Sequence, residues 1–468
     1  MSRTKELVKN TIIITIGKFS TQIVSFFLLP LYTTKLSTDE YGNYDLIATI
    51  AIFLVPLITM LLEESMFRFL IDVKTKKEKE KIITHTFLFI IINSIIFSMV
   101  IIILTYLFDL ELGIYILLYT LASTIVALSN ALSRGEGRIK IYSFSNFLLS
   151  ILTIILSILF ILVFKLGFKS LILSYTISNL VISLLVLLKL KVYKYISIRK
   201  IRVKTLKEML SYSVPLVPNT ICWSIINVSD RLFISEYIGV GANGVYSISN
   251  KFPNIINNFY NYFNTAWRES SAKIINDGTH KVDYPKIFSK IQKFIFSITI
   301  LLITFMPLLF IILIDSKFKE GLLYIPILCV SVYYSSLSGY YGGIFTAFKN
   351  TKILGITSLV AAIINLFINI LFIKKIGIFA AAISTLFSSL FLYYSRKQKC
   401  SKFVDIKFSF YKEMLIALAF LVISLLYYFN NVYITILNII LATIISFYLC
   451  KNEIMLFLKR IKRITIKR

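Results

Sequence analysis

Read as apolar against polar positions, the chain alternates long hydrophobic runs with short, mostly basic segments. A helix needs about 20 apolar residues to cross a hydrocarbon core. Fourteen runs reach that length, at roughly 11–33, 44–68, 83–107, 112–133, 141–164, 169–188, 211–236, 244–267, 287–314, 322–346, 353–373, 376–395, 411–429 and 432–450. They predict an all-α integral membrane protein of about fourteen transmembrane helices. The pairs 353–373/376–395 and 411–429/432–450 are so close that one member reads equally as a re-entrant element. The first run follows Arg3, Lys5 and Lys9 and reaches Pro30 without a small-residue cleavage site, as expected of an uncleaved first span.

The basic segments set the orientation. With the N-terminus inside, the inner segments hold 39 Lys and Arg and the outer loops 7. A bias of that size puts both termini on the cytoplasmic side of a multi-pass inner (cytoplasmic) membrane protein. Composition agrees: only 16% of residues are charged, against about 25% in soluble domains. The net charge of +28 does not point to nucleic acid, because the cations lie between apolar runs and not on one domain face. Cys222, Cys329, Cys400 and Cys450 show no pair spacing, and His85 and His280 are the two histidines. No disulfide framework, metal site or cofactor is expected.

The basic stretch at 189–210 divides the chain into halves that resemble each other. Glu40-Tyr41-Gly42-Asn43-Tyr44 corresponds to Ala242-Asn243-Gly244-Val245-Tyr246, and Phe164-Lys165-Leu166-Gly167 to Lys374-Lys375-Ile376-Gly377. Two pseudo-repeated six-helix lobes are expected, at 1–188 and 211–395, with two extra helices and a basic tail at 396–468. Such a duplication marks two-lobed secondary transporters, whose site lies where the lobes meet. Seven of the eight prolines fall in spans (Pro30, Pro56, Pro215, Pro218, Pro253, Pro307 and Pro326). Several bend the spans that also carry charge.

That charge is the candidate chemistry. Five cations fall inside or at the ends of spans: Lys18, Arg68, Arg231, Lys251 and Arg268. Each costs roughly 2.5–3.5 kcal/mol at mid-membrane. Snorkelling to headgroups competes as an explanation, most strongly for Arg68 and Arg268 at inner span ends. The acids Glu63, Glu64, Asp230 and Glu269 lie in the same spans, and a protonatable Glu63 or Glu64 would suit coupling to protons. They are too few to oppose every cation, which favours an anionic substrate over a cationic drug.

Several stretches resemble the Wzx-type O-antigen and capsule flippases of the multidrug/oligosaccharidyl-lipid/polysaccharide (MOP) superfamily. They are LPLYTTKLSTDEYGNYDL at 29–46, EESMFRFLID at 63–72, YSVPLVPN at 212–219, SDRLFISEYIGVGANGVYSISNKFP at 229–253 and NTAWRESS at 264–271. The resemblance covers spans one to twelve; the last two match in number and position only. It implies a MATE-like, V-shaped bundle of two lobes around a cavity, and no enzymatic activity. The implied work is moving undecaprenyl-pyrophosphate-linked oligosaccharide across the membrane, among membrane lipids, with polysaccharide polymerase and glycosyltransferases as further partners. Lys18, Arg231 and Lys251, then Arg68 and Arg268, would meet the pyrophosphate. Two rival readings remain: a multidrug or other lipid-precursor exporter of the same superfamily, and a polymerase or ligase. No outer loop is long enough to carry the active site of the latter.

Overall fold

Each apolar run that the structure covers folds as α-helix, because backbone N–H and C=O groups in hydrocarbon have to be bonded within their own segment. The structure is a computed structural model. It describes residues 26–73, 75–196, 203–261, 263–264, 267, 284–348, 350, 352–404, 410–429 and 431–465, with side chains as far as Lys451. Twelve helices among the described residues are long and apolar enough to span a membrane. They match the second to seventh and ninth to fourteenth runs; the first and eighth lie partly outside the described residues. In both close hairpins each member is a helix long and apolar enough to span. Lys352–Ile376 and Ile378–Cys400 have 25 and 23 residues, Phe410–Tyr428 has 19, and Val432–Thr465 has 34.

The chain forms two compact units, Met1–Ser235 with Gly239–Gly244, and Glu236–Ile238 with Val245–Arg468. The division falls later than the basic stretch at 189–210, so the helix at Val203–Ser213 and most of that at Val217–Tyr237 belong to the first unit.

In the first unit, helices α1 (Leu29–Lys35), α2 (Thr38–Thr59) and α3 (Leu62–Asp72) are followed by α4 (Lys76–Leu107), α5 (Gly113–Gly135), α6 (Ile139–Ile158) and α7 (Lys169–Lys189). Then come α8 (Val203–Ser213), α9 (Val217–Tyr237) and the start of α10 (Val240–Lys251). Helix α2 opens with a capping box: Glu40 N donates to Ser37 Oγ at 3.1 Å, and Ser37 N donates to Glu40 Oε2 at 2.8 Å. The second span then breaks at Met60 and Leu61, both left-handed (φ 49° and 52°), four residues after Pro56. Side chains satisfy the backbone there. Asn93 Nδ2 of α4 donates to the Ile58 carbonyl at 3.0 Å, and Leu61 N donates to Thr59 Oγ1 at 3.1 Å. Helix α7 packs on α5 and α6 through a buried seam of small residues, Ser170, Ser174, Ser178 and Ser183. Association between helices in lipid depends on such close backbone approach. Large apolar side chains point the other way, as Ile92, Ile95, Ile96 and Met99 of α4 do.

The tightest approach in this unit joins residues that the sequence repeat pairs. A Cβ on Gly42 of α2 would lie 3.0 Å from Gly244 N, and one on Gly244 of α10 would lie 3.1 Å from Gly42 N. The carbonyls of Val240 and Thr38 would be closer still. Asn243 Nδ2 completes the crossing by donating to the Gly42 carbonyl at 3.0 Å.

The second unit is built on α11 (Tyr284–Leu313), α12 (Ile325–Ala347), α13 (Lys352–Ile376) and α14 (Ile378–Cys400). Asn365 and Asn369 of α13 each donate to Ser384 Oγ of α14 at 3.0 Å. Arg396 of α14 is buried. It donates to Thr357 Oγ1 at 3.1 Å and to Ser358 Oγ at 2.9 Å on α13. The extra helices α15 (Phe410–Tyr428) and α16 (Val432–Thr465) are integral to this unit. Tyr393 and Lys397 of α14 hold Glu413 of α15 at 2.7 and 2.8 Å, and α16 packs along α11.

Replacing Gly42 or Gly244 by Val is expected to force the α2–α10 crossing apart and cost about 2–3 kcal/mol, seen as a lower melting temperature of the purified protein. Gly355→Ala, with nothing within 4 Å of its added Cβ, is expected to be neutral or to stabilise by about 0.5–1 kcal/mol.

Candidate functional site

A charge placed in an apolar layer needs a local partner. Arg231 of α9 has one. Its Nε donates to Asp45 Oδ2 of α2 at 2.7 Å, and one terminal nitrogen donates to the Asn227 carbonyl at 2.8 Å. The side chains of the pair are only 13% and 10% exposed. Arg231 is therefore not the uncompensated cation that the sequence suggests. Asp45 escaped the sequence reading, although it stands in the first turns of the second apolar run, in YGNYDL. Asp230, beside Arg231, is buried as well.

Glu63 and Glu64 open α3 directly after the left-handed Met60–Leu61 step, in a first turn where the helix dipole favours acids. Glu64 Oε1 accepts from Arg134 of α5 at 3.2 Å. The Arg134 guanidinium also lies 4.7 Å from the Phe67 ring centre and 5.9 Å from that of Tyr142, within reach of cation–π attraction. Glu63 is buried, and its Oε2 has no hydrogen-bond partner among the described residues. Two adjacent acids thus differ in state: one is committed to an ion pair, the other sits beside the fully buried Leu62 and Met66.

Arg68 bonds Asp72 one turn on at 2.5 Å, with the two side chains 49% and 67% exposed. An exposed pair of this kind contributes about 0.3–0.5 kcal/mol, in keeping with a surface position. Lys251 closes α10, half-buried, in the second unit. Lys18, Arg268 and Glu269 lie outside the described residues. The described candidates of the first unit thus form two polar clusters, Asp45–Arg231 and Glu63–Glu64–Arg134. Arg134 was counted only as a loop charge, and its guanidinium is brought to Glu64 by the packing of α3 on α5. The ion pairs Asp45–Arg231 and Glu64–Arg134 suit recognition and conformational pairing, and Glu63 stands apart from them in having no ion-pair partner among the described residues.

Arg231→Gln would leave Asp45 largely buried and without its ion-pair partner. The expected cost is about 3 kcal/mol, measured as a lower melting temperature and yield in the membrane. The double variant Asp45→Asn/Arg231→Gln is expected to recover most of that loss, whereas two independent surface effects would simply add.

The helical architecture is shared with known transporters. An inward-facing MATE multidrug transporter of the MOP superfamily superposes with a TM-score of 0.68 at 13% identity, covering 83% of this chain and 98% of that one. The lipid II flippase MurJ in an inward closed conformation gives 0.67 at 18% identity, covering 95% and 100%. A variant of the Vibrio cholerae MATE transporter VcmN gives 0.56 at 14%, covering 86% and 98%. At these identities the likeness establishes the fold. No curated protein matches the chain in sequence. The family described as polysaccharide biosynthesis protein matches residues 7–267, more than half of the 468 residues. The chain is a multi-pass membrane protein with the MOP transporter fold, and it belongs to the polysaccharide biosynthesis protein family of flippases.

Proposed function

We propose that this chain moves an undecaprenyl-pyrophosphate-linked oligosaccharide repeat unit from the inner to the outer leaflet of the cytoplasmic membrane, for surface polysaccharide such as O-antigen or capsule. The observation that carries the reading is the family match over 7–267 on a fold like that of a lipid II flippase. The chemistry is compatible. A pyrophosphate head needs fixed cations in a low-dielectric setting, and spans one, seven and eight carry Lys18, Arg231 and Lys251, with Arg68 and Arg268 at inner span ends. Transport proceeds by alternating access of the two six-helix lobes, and both termini face the cytoplasm. Glu63 is the acid best placed to couple transport to protons, because Glu64 is committed to Arg134, and Asp230 and Glu269 are its alternatives. Membrane lipids are the standing partners; polymerase and glycosyltransferases act before and after transfer.

The test uses purified protein in vesicles with a labelled lipid-linked oligosaccharide. Transfer between leaflets at unchanged saccharide length is expected. Chain lengthening would make the protein a polymerase, and export of cationic dyes without lipid transfer would make it a multidrug extruder. In this assay Glu63→Gln and Lys251→Gln are each expected to reduce transfer at least about tenfold at normal abundance, the equivalent of one lost charged contact. Orientation is tested by cysteines placed at the exposed Asp109 and Lys319, expected to react with an impermeant thiol reagent in intact cells. Those at Lys77 and Lys194 are expected to react only after permeabilisation.

A further inference from the structure

Where α3 ends, α4 begins and α5 turns into α6, the first unit has an open surface pocket of about 570 Å³. One wall is apolar, made by Leu70 and Val73, with Ile71 beside them half exposed. The other wall carries three cations, Lys79, Arg134 and Arg138, against a single carboxylate, Glu136. Apart from Lys79 of α4, the cationic wall comes from one short stretch, Arg134-Gly135-Glu136-Gly137-Arg138, whose conformation is fixed by its own backbone. Glu136 N donates to the Leu132 carbonyl at 2.9 Å, Gly137 N to that of Arg134 at 2.9 Å, and Arg138 N to that of Ser133 at 2.8 Å. Gly137 makes the turn possible, with φ at +68°, a value that side chains other than glycine seldom adopt. Gly135 lets α5 lie on α3, since a Cβ there would come within 3.0 Å of Leu70.

With those backbone donors spent, any anion in the pocket has to be held by the side chains. Two of them are partly engaged already: Lys79 Nζ lies 2.8 Å from Glu136 Oε1, and Arg134 lies 3.2 Å from Glu64. Arg134 keeps its Nε buried with no hydrogen-bond partner among the described residues, and a buried unsatisfied donor calls for an explanation. Arg138 is exposed, and its side chain makes no hydrogen bond or ion pair among the described residues. An apolar wall meeting a surplus of guanidinium and ammonium groups at the end of membrane helices matches an amphiphile with a phosphate head. Basic pockets between membrane helices bind such heads, and Arg forks suit phosphate oxygens.

We propose that this pocket is a binding site for one phosphate group, carried by the head of an anionic membrane lipid whose chains lie along Ile71 and Val73. It adjoins the Glu63–Glu64 cluster through Arg134, is tested at Arg138, outside that cluster, and does not depend on what the chain transports. The probe is phosphatidylglycerol, with phosphatidylcholine as the neutral control, added to the purified full-length protein in detergent and counted by native mass spectrometry. The wild type is expected to retain phosphatidylglycerol over phosphatidylcholine. Arg138→Gln is expected to weaken that retention about fivefold, the worth of one cation at a lipid head, and Arg138→Glu to remove it. Arg138→Lys is expected to keep most of it. Because the Arg138 side chain makes no hydrogen bond or ion pair among the described residues, the melting temperatures of these variants in phosphatidylcholine are expected to equal that of the wild type. Lys77→Glu, at the same end of α4 but outside the pocket, is expected to retain the lipid normally. Millimolar inorganic phosphate that leaves the lipid bound assigns the site to the lipid head. Displacement by it assigns the same phosphate chemistry to a soluble anion. Equal retention by wild type and Arg138→Glu, or an equal loss in Lys77→Glu, would overturn the proposal.

Discussion

Hydrocarbon offers no hydrogen bonds, so every polar group that enters it has to find a partner within the protein. Much of this structure follows from that constraint. The hydroxyls of Ser174 and Ser178 in α7 turn back to carbonyls of their own helix, as Ser178 Oγ does to Ser174 at 2.6 Å, which lets most of a polar seam be buried with its groups bonded. The break at Met60–Leu61 is tolerated because Asn93 and Thr59 take up backbone groups near the break. The α2–α10 crossing brings two backbones so close that side chains are excluded at Gly42 and Gly244, and Asn243 supplies its hydrogen bond. In the second unit, Arg396 is accommodated by hydroxyls of α13.

The spans were legible in the sequence because length and apolarity are sufficient signals for a membrane helix. The two motifs that the sequence reading pairs place Gly42 opposite Gly244, and these two glycines lie in reciprocal contact. The break in the second span was not legible. Pro56 announces a bend, yet the left-handed residues are Met60 and Leu61, neither of which favours that conformation. The close spacing of the 353–373 and 376–395 runs is accommodated because a single residue, Gly377 (φ 59°), is enough to reverse the helix.

Ion pairing was the least legible feature, because partners are distant in sequence. Asp45 and Arg231 are 186 residues apart; Glu64 and Arg134 are 70 apart. Counting charge along the chain offered Arg231 only its neighbour Asp230, because Asp45, at the start of the second apolar run, is brought to it by the fold alone. Lys397 and Glu413 were likewise assigned to an inner segment and a span end, whereas the fold makes them a nearly buried pair, 11% and 9% exposed. A surplus of cations in the sequence therefore does not translate into a surplus of unpaired cations in the helices.

This redistributes the net charge of +28 into two populations with different roles. Among the described residues, Arg134, Arg231, Arg396 and Lys397 within the helical packing are matched by carboxylates or by hydroxyls and carbonyls, and their value lies in specifying which helices meet. Cations in the short connecting segments carry the surplus, and most are solvated, where each gains about 1 kcal/mol near anionic lipid. The Arg134–Arg138 stretch belongs to both populations. Arg134 is drawn inward to Glu64 and two aromatic rings, while Arg138, four residues on, remains outside on a turn that Gly137 makes sharp. Orientation in the membrane requires only that basic residues accumulate on one side, and it places no demand on their geometry. A rigid turn that fixes two guanidinium groups beside an apolar wall goes beyond that demand. Its shape is therefore better explained by recognition than by topology.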